Sequence, residues 1–199
     1  MREPPAILVL AAGASRRMRG RDKLLEEVDG TPLILRAVRA ACAAAAEVLV
    51  ALPATDVARR AWLGDTPARP LSVDTVAMSA SIRAGTEACR ADALLLHLAD
   101  MPEIGADDLT AMCDAWRHGD APILRATTQG GRPGHPVVFD RTLFAELAAL
   151  DGDVGARAVL ARHPVECLAL PGQRAVIDLD TPEAWADWRR RRDSGSSEN

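Results

Sequence analysis

The chain is 199 residues long, 48% hydrophobic and 26% charged, with a formal net charge of −4. That length supports one substantial core, and the acidic balance excludes a general affinity for nucleic acid. No apolar run approaches the length of a membrane span, so neither a nucleic acid nor a membrane is expected as a partner.

The opening, MREPPAILVLAAG, superficially resembles a signal peptide. Its apolar run is short, two prolines precede it, and a basic segment follows where a cleavage region should lie. It reads instead as a first strand over 6–12, in a cytoplasmic protein. TPLILRAVRAACAAA (31–45) predicts a helix with Thr31 as cap and Pro32 at its first position. A strand follows at 47–53, a short helix at 55–63, a strand at 69–74 and a helix at 79–90. The stretch 91–102 is an almost continuously apolar strand ending in an acid, and 105–117 is a helix. Residues 121–139 read as two strands around a Gly-rich turn, followed by short helical segments at 140–149 and 154–162. Strands are expected at 165–170 and 174–180, then a last helix over 181–192 opened by Thr181 and Pro182. The chain therefore reads as one domain over 1–192 with a disordered tail at 193–199. Apolar strands alternating with helices predict an α/β fold with a parallel sheet covered on both faces.

In such sheets ligands bind at the carboxyl ends of the strands. Three features fall there. The first is the loop after the opening strand. Gly13 follows small Ala11 and Ala12, allowing close approach of a ligand to the backbone, and Arg16, Arg17, Arg19, Arg21 and Lys23 follow within a few residues. Exposed N–H groups with Arg17 and Lys23 suit a polyphosphate. The loop has neither the P-loop nor the GxGxxG glycine pattern, and taken alone it is equally a solvated basic turn. The second feature is acidic. Asp100 ends an apolar strand, while Asp178 and Asp180 alternate around Leu179, so that both carboxylates would face one way. Oxygen-only ligands beside phosphate suit Mg²⁺. The bland readings are a turn before Met101–Pro102 for Asp100 and a helix N-terminal contact for Asp180. The third feature is GGRPGHP (130–136), whose glycines permit close approach around His135. A lone histidine is more often structural than catalytic, and His97, His118 and His163 show no metal or triad spacing. The cysteines, Cys42, Cys89, Cys113 and Cys167, form no CxxC pair and read as reduced, mostly buried thiols. The four tryptophans suggest packing rather than a base-stacking platform.

Together these segments resemble the MobA-like nucleotidyltransferases, and within them the cytidylyltransferases of molybdenum cofactor. The family carries LAAGxSxRMG…K, (A/G)DMP, GHP and DxDTP in order. Here they stand as LAAGASRRMRGRDK, LADMP, GRPGHP and DLDTP, with MSASIRAG (78–85) and GDVGAR (152–157) as further matches. The resemblance covers nearly the whole chain. One departure is that Arg19 stands between Met18 and Gly20. The resemblance implies a Rossmann-like three-layer sandwich of the nucleotide-diphospho-sugar transferase type. It also implies transfer of a nucleoside monophosphate to the phosphate of molybdopterin cofactor, with release of pyrophosphate. Carried across by position, Leu10, Ala11, Ala12 and Gly13 would hold the nucleotide and Lys23 its phosphates, assisted by Arg17. Ser79 and Ser81 would lie near the base or ribose. Asp100 and Asp180 would hold Mg²⁺ with Asp178 beside them, so that Lys23, Arg17 and Asp100 form the catalytic set. Gly134, His135 and Pro136 would shape the acceptor pocket. Guanylyl members usually have Gly where Ala12 stands, so the implied nucleotide is CTP rather than GTP. A molybdoenzyme receiving the product is a further implied partner. Two rival readings stay open: the same fold acting on another phosphorylated acceptor such as a sugar phosphate, and a non-catalytic protein that delivers the cofactor.

Overall fold

A computed structural model describes residues 1–75, 77–152 and 155–195. The first strand, β1 (Ala6–Leu10), is buried from Ala6 to Val9, with Leu10 half-buried at its end. After a long loop comes a two-strand ribbon, β2 (Glu27–Val28) and β3 (Thr31–Pro32), paired antiparallel. Asp29 and Gly30 between them both have positive φ, 52° and 71°, as an Asp-Gly hairpin turn requires. Thr31 and Pro32 are therefore not the cap and first residue of a helix. Ribbon pairing claims them, and α1 begins one residue later (Leu33–Ala44).

Then follow β4 (Val48–Pro53), α2 (Val57–Ala61), β5 (Arg69–Val73), α3 (Met78–Ala88), β6 (Ala93–Leu98) and α4 (Ala106–His118). The hairpin β7 (Ile123–Thr127) and β8 (Pro133–Asp140) leads through a 3₁₀ turn to α5 (Phe144–Ala148). The chain closes with α6 (Arg157–Leu160), β9 (Val165–Ala169) and α7 (Pro182–Gly195). Residues 153 and 154 of the GDVGAR segment, with the expected start of the helix at 154, lie outside the described residues, as do 196–199. The last helix runs past its expected end at 192, opened by Pro182 and by the Thr181 hydroxyl accepting from Ala184 N at 3.2 Å.

Seven strands form one sheet in the order β5-β4-β1-β6-β8-β7-β9. Every pairing is parallel except those of β8, which runs against β6 and β7. The chain winds outward from β1 through β4 to β5, then crosses to β6 on the other side of β1. That reversal is a topological switch point, and a crevice opens there at the carboxyl ends of β1 and β6. Alternation along the strands builds two cores. Ile7, Val9 and Leu95 pack under α1, α4 and α7 on one face; Leu8, Leu94 and Phe139 pack against α3 and α5 on the other. Trp116, Trp185 and Trp188 are buried, whereas Trp62 is exposed. Cys89 and Cys113 are buried thiols, Cys42 is half-buried and Cys167 exposed.

One expected strand does not form. In place of a strand over 174–180 the chain makes a 3₁₀ turn, Arg174–Val176, and then runs extended across the sheet edge. The open side of β7 is already taken by β9. The turn crosses β8 at Gly134 instead, where a Cβ would lie 1.8 Å from the Ala175 carbonyl oxygen. Arg174 fastens it to buried Asp108 of α4 at 3.1 Å. Among the described residues, no helix is long and apolar enough to cross a membrane.

Candidate active site

The loop leaving β1 is built from beneath. Ala11 N still donates to Ala51 O at 3.1 Å, continuing the sheet pairing one residue past the strand. Met18, in a short 3₁₀ turn, is fully buried and anchors the loop in the core. Ser15 and the inserted Arg19 both take left-handed conformations (φ 50° and 53°), and Gly20 has φ 88°. The extra residue is thus absorbed in a tight turn, and Arg19 reaches Glu183 of α7 at 2.5 Å.

Arg59 of α2 holds this loop from below. It is 4% exposed and donates to Ala11 O (2.6 Å), Gly13 O (2.9 Å) and both Asp22 oxygens (2.7 and 2.8 Å). Asp22 in turn accepts from Leu24 N at 3.0 Å and from the Ser15 hydroxyl at 3.1 Å, and that hydroxyl accepts from Lys23 N at 3.2 Å. Burial works against the Asp22 carboxylate, but the Arg59 hydrogen bonds and charge outweigh it and hold its pKa below the ordinary value. The network fixes the backbone on either side of Lys23. Sequence reasoning missed Arg59 and Asp22, because an arginine on a short surface helix shows no sign that it will be buried.

Lys23 points into the crevice and meets Asp100 at 2.5 Å and Asp180; Arg17 also pairs with Asp180. Burial pulls the Lys23 pKa down, but Asp100 and Asp180 pull harder and leave it raised. The Asp178 pKa is raised by burial first and then by the Asp100 and Asp180 charges. Oxygens of Asp100, Asp178 and Asp180 all lie within 4.8 Å of one another. An octahedral Mg²⁺ site spans about 4.2 Å between opposite ligands, so this oxygen-only set fits a hard divalent ion after a small contraction. Asp178 and Asp180 face the crevice without belonging to a strand. Leu179 between them is buried in the core, and its N–H donates to Asp100 O at 3.2 Å.

The crevice holds a cavity of about 290 Å³, lined by Leu10, Ala12, Gly13, Arg17, Lys23, Ser81 and the three aspartates, with Met78 as a further wall. A second space of about 520 Å³ lies across the loop, between Ala12–Ala14 and α2. A third, of about 550 Å³, continues from the first past Leu10, Met78, Leu98 and Asp178, and is lined by Gly134 and His135. Three expected site residues stand elsewhere. The Ala11 side chain has the parity of Ile7 and Val9 and is packed in the core, so only its backbone serves the loop. Ser79 is buried outside the cavity lining, two residues before the Ser81 that does line it. Pro136 is buried with the parity of Val138, facing away from the cavity that His135 and Val137 line.

A basic loop and a cluster of carboxylates at the switch point of an α/β sheet are the arrangement that a nucleotidyltransferase needs. Residues 7–167 match the model of the MobA-like NTP transferase domain, and the chain belongs to that family. It is 30% identical to a molybdenum cofactor guanylyltransferase of Burkholderia vietnamiensis over 92% of this chain and 95% of that protein. It is 29% identical to the purine catabolism protein PucB of Bacillus subtilis over 96% and 98%. The crystal structure of Rv0371c from Mycobacterium tuberculosis superposes with a TM-score of 0.80 at 29% identity, covering 94% of this chain and 98% of that one. The same protein has been solved in complex with manganese (TM-score 0.76, 30% identity, coverage 94% and 97%).

Proposed function

We propose that the protein transfers CMP from CTP to the phosphate of molybdopterin cofactor, releasing pyrophosphate, with Mg²⁺ as its divalent ion. The observation that carries this reading is the cluster of Lys23, Asp100 and Asp180 at the switch point, where an ammonium and a carboxylate set share one crevice. A divalent ion held by Asp100 and Asp180, with Asp178 alongside, would supply positive charge to the substrate phosphates. The manganese complex of Rv0371c supports a divalent ion here.

The chain's own groups do the rest. Among the described residues, the N–H groups of Gly13 and Ala14 donate to no protein acceptor and are available to phosphate oxygens. Lys23 and Arg17 neutralise the triphosphate and then the departing pyrophosphate. An oxygen of the acceptor phosphate attacks the α-phosphorus, and the bond from that phosphorus to the pyrophosphate oxygen breaks. Positioning and electrostatics account for the rate, with no covalent enzyme intermediate.

Ala12 supports CTP. It is 3% exposed and lines the spaces on both sides of the loop, so its methyl takes room beside any base held there. GTP is the second reading, favoured by the guanylyltransferase names of several relatives. The test is pyrophosphate release with CTP, GTP, ATP and UTP, with and without molybdopterin. A higher catalytic efficiency with GTP overturns the cytidylyl assignment, and Ala12→Gly should shift the ratio toward GTP. Turnover with a sugar phosphate but not molybdopterin would change the acceptor. Binding without turnover would make the protein a carrier. Asp100→Asn should abolish metal-dependent release while leaving the melting temperature close to that of the parent.

A further inference from the structure

The third cavity has an apolar floor and a basic rim. Leu96, Val137, Phe139 and Ile82 form the floor; Arg125, Arg132 and Arg157 come to the rim from β7, the β7–β8 turn and α6. Among the described residues none of these three arginines has a carboxylate partner. Arg125 is half-buried, and among the described residues its side chain makes one hydrogen bond, from Nε to Gly134 O at 3.0 Å. Burial lowers its pKa, Cys167 opposes this, and the nearby charge of Arg157 adds a smaller lowering. His135 lines the same space with its Nδ1 buried and unpartnered. Burial and then Arg125 push the imidazole down to about 4, so it is neutral and adds no charge of its own.

Most arginines of this chain that line a cavity or touch the core are matched: Arg59 by Asp22 and Asp56, Arg174 by Asp108, Arg17 by Asp180. Here one half-buried guanidinium and two exposed ones, without a carboxylate among the described residues, line a single half-enclosed space, an arrangement that suits an anion. Guanidinium forks bind phosphate oxygens in pairs. The cavity also opens onto Asp178, next to the crevice assigned to the triphosphate.

We propose that Arg125, Arg132 and Arg157 form a second anion site, separate from the loop around Lys23, which binds the phosphate of the acceptor and orients it toward the nucleotide. This rests on the nucleotidyl-transfer reading above. It assigns a role to Arg125, which stands outside every motif, and to Arg132 and Arg157, which stand within the GRPGHP and GDVGAR segments. The acceptor class is a phosphomonoester carrying a flat or apolar body that covers Leu96, Val137 and Phe139. Permanently charged guanidiniums favour the dianionic form of that phosphate, which is the better nucleophile.

The test uses Arg157→Ala and the double variant Arg132→Ala/Arg157→Ala, both at exposed side chains that have no side-chain partner among the described residues. With CTP and Mg²⁺ saturating, KM for molybdopterin should rise at least tenfold in the double variant, while the CTP dissociation constant from calorimetry stays within twofold. An unchanged KM overturns the proposal. An equal loss of CTP affinity does too, since the arginines would then serve the nucleotide. If the wild-type protein does not turn over molybdopterin, the acceptor assignment fails separately. Calorimetry with inorganic phosphate, a phosphorylated pterin and a sugar 1-phosphate then tests the site alone. Binding that the double variant loses supports it, and no wild-type binding of any of the three overturns it.

Discussion

Replacing Gly134 by alanine should damage a site to which Gly134 itself contributes little chemistry. A Cβ there would lie 1.8 Å from the Ala175 carbonyl oxygen and 2.6 Å from its carbon. Both obstructing atoms are backbone, so no rotamer change clears them, and the Arg174–Val176 turn must retreat by more than an ångström. That turn cannot slide freely, because Arg174 is tied to Asp108 and Leu179 N–H to Asp100 O. Overpacking of this kind costs about 1–3 kcal/mol, which in a chain of this size lowers Tm by roughly 2–12 °C. The strain falls on the segment that carries Asp178 and Asp180. Displacement of positioned groups by about 1 Å can cost on the order of a hundredfold in function. Thermal melts and calorimetric titration of Mn²⁺ read the two effects separately. We expect a lower Tm, and an ion affinity reduced at least tenfold in the fraction that is folded at 20 °C. Wild-type values for both would refute the claim that glycine at 134 is what allows the chain to cross β8 and deliver its carboxylates.

Lys23→Met should weaken CTP binding about ten- to hundredfold, the worth of one charge-assisted contact. Divalent-ion binding should not weaken, because the ammonium that shares Asp100 and Asp180 is gone; calorimetry with each ligand checks both, and unchanged CTP affinity returns the loop to a solvated turn. Arg59→Ala should cost about 1–3 kcal/mol in urea unfolding, since it leaves two loop carbonyls and one side of the Asp22 carboxylate without their donor. Arg59→Lys should recover little of this, because a single ammonium cannot span the same acceptors; a loss below about 1 kcal/mol would show the brace to be unimportant. Acid should destabilise the fold through His97, which is fully buried with both ring nitrogens unpartnered and a pKa pushed down to about 3 by burial and then by His135. The unfolded imidazole protonates below about pH 6.5 while the folded one stays neutral, so stability is lost as pH falls from there toward 3. At pH 5 the loss from this residue is about 2 kcal/mol. His97→Leu should flatten that slope between pH 7 and 5 in urea melts, and an unaltered slope would place the acid sensitivity elsewhere.

Much of this architecture is readable from contiguous residues. The apolar runs at 6–12, 47–53 and 91–102 mark central strands because a strand buried on both faces needs no polar side. The basic loop after Leu10 and the acid after Leu98 stand out because each follows such a run directly. Even the Asp29–Gly30 turn that displaced the expected helix start carries its own local signal, which the helix-capping pattern of Thr31–Pro32 masked.

What the tertiary structure decided depends on residues far apart in the chain. Local pattern said that Asp178 and Asp180 would share a face, but attributed this to a strand. In the fold no strand pairs there, and the two carboxylates face Lys23 because Leu179 is drawn into the core and Gly134 leaves room for the turn before it. Arg59 reads as an ordinary surface arginine until α2 is laid under the loop, when the carbonyls of Ala11 and Gly13 and the carboxylate of Asp22 close around it. Burial, close approach and the matching or mismatching of charges are properties of what a residue meets in space. Residues 23, 100 and 180 meet only because the sheet reverses its winding between β1 and β6.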